Sequence, residues 1–167
     1  MGRSPDPRRA AGKGCALFNL REGRKDFMKE GSPRILIIDG QGGRIGRQLI
    51  EALLPRLPDA RITAVGTNSA ATASMLKGGA HQAATGENAV VVGCRRADII
   101  AGPIGIVIAD ALLGEITPAM AAAVGSSPAR KVLLPMERCD VQVAGVEQMT
   151  VSELLQRAVE LICPQEQ

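Results

Sequence analysis

The chain has 167 residues, of which 46% are hydrophobic, and this is enough for one domain with a buried core. Two Phe and no Tyr or Trp exclude base stacking on aromatic side chains and a tyrosine-dependent reductase. The net charge of +3 is uneven, because residues 1–34 carry +5 and residues 35–167 carry −2. A nucleic-acid-binding face is therefore not predicted for the folded part.

The N-terminal segment, residues 1–33, is rich in Arg, Gly, Pro and Lys. It is predicted to be a disordered basic extension, with an alternative translation start at Met28. It lacks the apolar core of a signal peptide, and no apolar run reaches the ~18 residues of a membrane helix, so a cytoplasmic protein without membrane contact is expected. The four cysteines are too far apart for a zinc site or a disulfide framework, so we expect reduced thiols and no metal.

The first predicted strand, Arg34–Ile38, leads into a glycine-rich turn and then into apolar residues at helical spacing. The start of a helix has unpaired backbone N–H groups and a partial positive charge, and glycines let an anion approach that backbone closely. The turn is therefore predicted to bind a phosphate group, although a turn that binds nothing is the alternative. The candidate binding residues are Gly40, Gln41, Gly42, Gly43, Arg44, Ile45 and Gly46.

This glycine loop resembles the NAD(P)-binding loop of dihydrodipicolinate reductases, which contains a similar Gly-x-x-Gly-Arg-Met-Gly run. The resemblance is confined to the run from Gly40 to Ile50. It implies NADP or NAD as the cofactor.

Strands and helices are predicted to alternate along the rest of the chain. The predicted strands are Arg61–Val65, Ala80–Ala84, Ala97–Gly102, Lys131–Pro135 and Val141–Val146, and the predicted helices are Ser69–Lys77, Pro118–Val124 and Val151–Ile162. Thr67 or Ser69 is expected to cap the first of these helices. The run Val90–Val92 fits a strand or a helix, and Ile104–Leu113 fits a core helix or a dimer face. The alternation predicts a single α/β domain over residues 34–164, with a doubly wound, mostly parallel, Rossmann-like sheet.

Residues 34–162 also resemble an uncharacterised bacterial family of short Rossmann-like proteins. The motifs that carry this resemblance are Ile38–Gly43, Gly66–Ser69, Thr85–Asn88, Ala97–Ile100, Gly102–Ile106, Leu113–Pro118 and Arg138-Cys139. The family implies no activity, so function has to be inferred from the site.

Ligands of doubly wound sheets bind beyond the carboxyl ends of the strands. Besides the glycine loop, these ends offer Thr67, Asn68, Ser69, Gly102 and Pro103. An NAD site usually has an acid after the second strand, whereas the small polar groups found there favour NADP or another phosphate ligand. A simple turn and helix cap would use the same residues.

No complete catalytic apparatus is evident in the sequence. His81 stands alone, Asp39 is expected to brace the loop, Cys139 beside Arg138 is expected to be an ordinary thiol, and Glu115 and Thr117 resemble the start of a helix. The predicted function is binding of an NAD(P)-type dinucleotide.

Two other functions remain open. The order of Ile37–Asp39, Gly66-Thr67, Gly86–Asn88 and Ala97–Ile100 is similar to that in methylglyoxal synthases, and this resemblance implies a phosphate-handling enzyme with Asp39 or Glu87 as general base. The third function is a regulatory or structural subunit, with a homodimer as its simplest form. The expected partner is a phosphate-containing small molecule.

Overall fold

A computed structural model describes residues 32–136, 141–146 and 149–163. Five parallel strands form one sheet in the order β3-β2-β1-β4-β5. The strands are β1 (Arg34–Asp39), β2 (Arg61–Gly66), β3 (Gln82–Thr85), β4 (Ile99–Pro103) and β5 (Arg130–Leu134). The helices are α1 (Arg44–Leu53), α2 (Ser69–Lys77), α3 (Glu87–Cys94), α4 (Pro118–Ser126) and α5 (Val151–Ile162), with a 3-10 helix at Ile104–Val107 and a single turn at Ala111–Gly114.

The central strand, β1, is buried on both faces of the sheet, which explains why its sequence is a continuous apolar run. Ile35 and Ile37 pack into one cluster with residues of α1, α2 and α5. Leu36 and Ile38 point the other way, into a cluster with residues of α3 and α4. Helices therefore cover both faces, and the prediction of a doubly wound α/β domain is confirmed.

Most predicted elements are present. Helices α2 and α5 have the predicted bounds, and the ambiguous run Val90–Val92 lies within α3. The cap of α2 is Asn68, whose side chain accepts a hydrogen bond from the Ala71 N–H, and neither Thr67 nor Ser69 takes this role. That part of the prediction was wrong because Asn68 has the extended backbone of a capping residue.

One other predicted strand and one of two alternatives for an apolar run were wrong. Residues 141–146 were predicted to form a strand, yet they form none: the residues are exposed and a turn interrupts the run at Gly145. Of the two interpretations of the apolar run Ile104–Leu113, the core helix was wrong, because Asp110, Leu112 and Leu113 have left-handed backbone conformations that end any regular helix. The dimer face stays a prediction. The predicted N-terminal extension up to residue 31, and Arg138 and Cys139, lie outside the described residues.

Candidate functional site

The carboxyl ends of the parallel strands meet along one edge of the sheet. The glycine loop Gly40–Gly46 follows β1, and Thr67 and Asn68 follow β2. The chain crosses from β3 at one side of the sheet to β4 beside β1, so the strand order reverses between β1 and β4. Doubly wound sheets bind their ligands beside such a reversal. The structure thus brings the glycine loop and the end of β2 together at this edge.

Asp39 braces the glycine loop from inside, as the sequence predicted. Its side chain is only 5% exposed, and its carboxylate accepts hydrogen bonds from the backbone N–H groups of Gly40 at 2.8 Å and Gly46 at 2.7 Å. The two bonds tie both ends of the loop to the end of β1. Burial raises the pKa of the Asp39 carboxyl, outweighing the bonds from Gly46, Gly40 and Ile45, and the nearby charge of Glu115 adds to the rise.

The loop glycines serve different purposes. Gly43 has a left-handed φ of 65°, and a Cβ there would lie 2.5 Å from the backbone oxygen of Ala71 on α2. A Cβ on Gly46 would lie 2.5 Å from the sulfur of Met75. These two glycines allow α1 to pack closely on its neighbours. Gly42 differs, because a Cβ there would have nothing within 4 Å.

Glu115 reaches the glycine loop from the segment that follows β4. Its Oε2 atom accepts hydrogen bonds from the Gln41 N–H at 2.7 Å, from the Thr67 hydroxyl, and from the Asn68 side-chain amide at 3.2 Å. Of the two residues expected at a helix start, Thr117 is confirmed as the cap of α4, because its hydroxyl accepts from the Met120 N–H, whereas Glu115 lies before the cap and the expectation for it was wrong. Glu115 is instead part of the site.

The Asn68 side chain connects these groups. Because its Oδ1 accepts from the Ala71 N–H at 2.9 Å, its Nδ2 must point the other way, where it donates to the Gln41 carbonyl at 3.0 Å and to Glu115. The orientation of this amide is thus fixed by the helix cap. One residue holds together the start of α2, the glycine loop and the segment that carries Glu115.

The hydrogen bonds to Glu115 keep it charged. Burial alone would raise the pKa of its carboxyl, but the bonds from Gln41, Thr67 and Asn68 outweigh burial and hold the pKa below its usual value. The site therefore contains a carboxylate anion at neutral pH.

The segment that carries Glu115 has an unusual backbone. Asp110, Leu112 and Leu113 all have positive φ, and the side chain of Leu113 is 95% exposed. The segment is closed by a 2.8 Å bond from the Asp110 N–H to the Ile116 carbonyl, and Ile116 itself is fully buried. Left-handed conformations of such residues cost about 1–3 kcal/mol each, so the surrounding contacts must compensate for them.

The remaining candidates lie apart from this cluster. Ser69 is an exposed first residue of α2. Gly102 and Pro103 are buried in β4, and a Cβ on Gly102 would lie 2.1 Å from the Ile38 carbonyl oxygen, so close packing of β4 on β1 already requires this glycine. His81 lies at the opposite edge of the sheet, where its Nδ1 accepts from the Ile62 N–H at 3.1 Å.

Backbone donors remain available on the glycine loop. Within residues 32–136, 141–146 and 149–163, the N–H groups of Gly42 and Arg44 make no hydrogen bond, although those of Gly40, Gln41 and Gly46 do. Gly42 and Arg44 are both exposed, and Arg44 is the first residue of α1. An anion here would meet two free amides and the positive end of the helix.

The described part of the chain also gives findings on metal ligands, on helix hydrophobicity and on a second groove. Those residues include no group of three or more His, Cys, Asp or Glu able to hold a metal ion. None of the helices described there has the length and apolar character needed to cross a bilayer. A shallow groove lined by Arg34, Asp59, Arg61 and His81 lies at the amino ends of the strands, the edge at which parallel sheets do not usually bind ligands.

The fold and the site define an α/β protein with a five-stranded parallel sheet and a glycine loop at the reversal of its strand order. The chain belongs to the DUF3842 family, a domain of unknown function, whose model matches residues 34–166. No curated protein matches the chain.

A solved structure similar to this chain is described as an exopolyphosphatase-related protein from Bacteroides fragilis. The match has a TM-score of 0.45 and 13% identity, and it covers 84% of this chain. The chain spans only 43% of that structure.

Proposed function

We propose that the protein binds a dinucleotide of the NAD(P) class, with the pyrophosphate at the glycine loop Gly40–Gly46. The observation that carries this proposal is that the exposed residues Gly42 and Arg44 each have a backbone N–H group without a hydrogen bond among the described residues. Asp39 already accepts from the amides at both ends of the same loop, which leaves the amides of Gly42 and Arg44 for a ligand. A phosphate diester supplies the acceptor oxygens that these donors lack.

The position of the loop and the charge of Arg44 give further support. Dinucleotides bind across the point where the strand order of a doubly wound sheet reverses, and the loop lies beside that point. The exposed guanidinium of Arg44 adds a cation at the positive end of α1, and an Arg guanidinium can bind a phosphate through two hydrogen bonds.

We propose binding without turnover because the carboxylates nearest the loop are already engaged. Asp39 is buried and accepts from Gly40 and Gly46, and Glu115 accepts from three donors at Oε2, which lower the pKa of its carboxyl and make it a weak base. The phosphate-enzyme alternative, which resembles methylglyoxal synthases, has less support, because an inward-facing Asp39 is poorly placed to take a proton from a substrate. Glu87, its other candidate base, accepts a hydrogen bond from the Thr117 hydroxyl.

Thermal unfolding of the full chain tests the proposal. The panel comprises NADH, NADPH, ATP, dihydroxyacetone phosphate and inorganic phosphate. A ligand at 100 times its Kd stabilises the folded state by about 2.7 kcal/mol, which corresponds to a rise in Tm of roughly 5–10 °C for a chain of this size. A rise with NADH or NADPH is expected. A rise with the small phosphates alone would favour the enzyme alternative, and no rise with any ligand would overturn the proposal.

Two matched glycine variants locate the binding site. Gly42→Val adds a branched side chain to the residue that carries one of the two free amides, and a Cβ at this position meets no atom within 4 Å, so the fold should be unaffected. Gly125→Val, at an exposed position of α4 with equally open surroundings, is the control. We expect the Tm rise with dinucleotide to disappear in Gly42→Val and to remain in Gly125→Val. An equal rise in both variants would place the ligand elsewhere.

A further inference from the structure

Dinucleotide-binding sheets usually carry an acid directly after the second strand, where its carboxylate binds the ribose hydroxyls. The residue directly after β2 in this chain is Thr67. The structure nevertheless places a carboxylate there, because Glu115 accepts a hydrogen bond from the Thr67 hydroxyl and lies 2.7 Å from the backbone nitrogen of Gln41 in the glycine loop. A residue that follows β4 thus occupies the position at the end of β2.

We infer that Glu115 selects the ribose of the bound dinucleotide: its carboxylate binds the free 2′-hydroxyl and excludes a 2′-phosphate. This inference rests on the proposed function. It narrows the ligand class to dinucleotides with an unphosphorylated ribose, NAD or NADH.

The hydrogen bonds of Glu115 leave one of its oxygens for a ligand. All three donors, from Gln41, Thr67 and Asn68, bind Oε2. Oε1 accepts no hydrogen bond from the part of the chain that the structure describes, and the side chain is half-buried, so this oxygen can accept from a hydroxyl of the ligand. A carboxylate is an acceptor only, and a ribose hydroxyl supplies the donor that it needs.

The same contacts oppose a phosphorylated ribose. The Thr67 hydroxyl and the Asn68 amide both donate to Glu115, so the two groups that the sequence offered to a 2′-phosphate are already in use. A 2′-phosphate carries nearly two negative charges at neutral pH and would lie against the Glu115 carboxylate. Like charges in such contact disfavour binding by several kcal/mol.

Direct titration of the full chain with NADH and NADPH tests this assignment through the fluorescence anisotropy of the reduced nicotinamide. The chain has no Trp or Tyr, so protein emission does not interfere. We expect NADH to bind at least about tenfold more tightly than NADPH. Glu115→Gln, which removes the charge and keeps the shape, should reduce this ratio by about tenfold, mainly through tighter binding of NADPH.

A matched control removes the same charge at a position outside the site. Glu51→Gln is the same substitution at an exposed position of α1, where Glu51 pairs with Arg47. This variant should keep the wild-type ratio of NADH to NADPH affinity. An equal loss of the ratio in both variants would show a general effect of net charge and would overturn the assignment.

Ionic strength supplies a test that needs no variant. Salt screens the repulsion between Glu115 and a 2′-phosphate, so the wild-type preference for NADH should shrink between about 0.05 and 0.5 M salt.

Two results of the titrations would overturn the role of Glu115. One is a ratio of NADH to NADPH affinity that Glu115→Gln leaves unchanged. The other is NADPH binding as tight as that of NADH, which would point to the exposed Arg44 instead. The proposed function would survive both results. Binding of neither dinucleotide would overturn the proposed function and this inference with it.

Discussion

Glu115 and Gln41, 74 residues apart in the chain, are joined by a 2.7 Å hydrogen bond from the Gln41 backbone N–H to the Glu115 carboxylate. Gln41 is an exposed residue with a left-handed φ of 52°. This conformation is therefore stabilised by a residue that is distant in the sequence, Glu115. Two carboxylates accept hydrogen bonds from the backbone of the glycine loop: Asp39 from Gly40 and Gly46, and Glu115 from Gln41.

Hydrogen exchange of single amides tests this dependence. In Glu115→Ala the Gln41 N–H loses its acceptor and becomes open to water, so its exchange should be about tenfold faster or more. The Gly40 N–H, which donates to Asp39, is the internal control and should keep its protection. If both amides exchange faster to the same extent, the loop opens as a unit, and the separate roles of the two carboxylates would be contradicted.

Substitutions of Asn68 separate two roles of its side chain, the cap of α2 and the hydrogen bonds to Gln41 and Glu115. Asn68→Ser keeps an oxygen that can cap α2 but removes the amide that donates to Gln41 and Glu115, and we expect a loss of about 1 kcal/mol in the free energy of unfolding. Asn68→Asp keeps the cap but brings a second carboxylate against Glu115. Its loss at pH 7 should exceed that of the Ser variant and should shrink toward pH 4, where the two acids can share a proton.

Urea unfolding of both Asn68 variants at pH 7 and pH 4 gives the comparison. The Ser variant acts as the control for the cap, since its deficit should change less with pH. Equal deficits of the two variants at both pH values would contradict a direct contact between residue 68 and Glu115.

Gly43→Ala tests the packing of α1 on α2. The new Cβ adds a left-handed strain and a clash 2.5 Å from the Ala71 carbonyl oxygen, so we expect a loss of about 3 kcal/mol or more. Gly145→Ala is the matched control, because Gly145 has a φ of 82° and nothing within 4 Å of its Cβ position. Its cost should be strain alone, about 1–2 kcal/mol. Equal losses of unfolding free energy in urea would show that the contact with Ala71 can relax.

Two aspartates that lie near opposite ends of β1, Asp98 and Asp39, should have pKa values shifted in opposite directions. Hydrogen bonds from the Arg34 side chain lower the pKa of Asp98, whereas burial raises the pKa of Asp39. Carbon-13 NMR of the side-chain carboxyls should place the Asp98 midpoint below, and the Asp39 midpoint above, the value of about 3.9 for a free aspartate. Midpoints in the reverse order would show that the Arg34 hydrogen bonds do not dominate at Asp98 and that burial does not dominate at Asp39.

The consequences for stability have opposite signs. Asp98 stabilises the fold above its unfolded pKa, and this contribution is lost as the pH falls through the lowered folded pKa. For Asp39 the folded state holds the proton more tightly, so its ionisation reduces stability as the pH rises from the unfolded to the folded pKa. In Asp98→Asn, the free energy of unfolding should therefore fall less steeply as the pH is lowered than it does in the wild type.

The sequence was informative where local pattern determines structure. The apolar run of β1 indicates a strand buried on both faces, and the spacing of Leu154, Leu155, Ala158, Val159 and Ile162 indicates the buried face of α5. Asp39 was predicted to brace the loop because an ionised acid beside a phosphate loop must point away from the ligand. Each of these inferences uses neighbours within one or two turns of chain.

The sequence was uninformative where structure depends on distant contacts. Glu115 follows Leu112 and Leu113, which have left-handed conformations that leucine disfavours in isolation and that a sequence pattern does not predict. The one local signal was an acid after Gly114, in a segment that also fits the start of a helix. The valine-rich residues 141–146 gave a wrong strand prediction, because such a run forms a strand only where a neighbouring strand completes its hydrogen bonds.

The bonds that Asp39 and Glu115 make to the glycine loop have a consequence for how any ligand would arrive. A loop that is ordered during folding loses little further conformational entropy when a ligand binds, so more of the contact energy appears as affinity. Preorganisation of this kind also predicts that the backbone of residues 40–46 moves by less than about 1 Å between the free and the bound protein. Association should then proceed in a single step, at a rate set by diffusion and orientation with no slow closing of the loop.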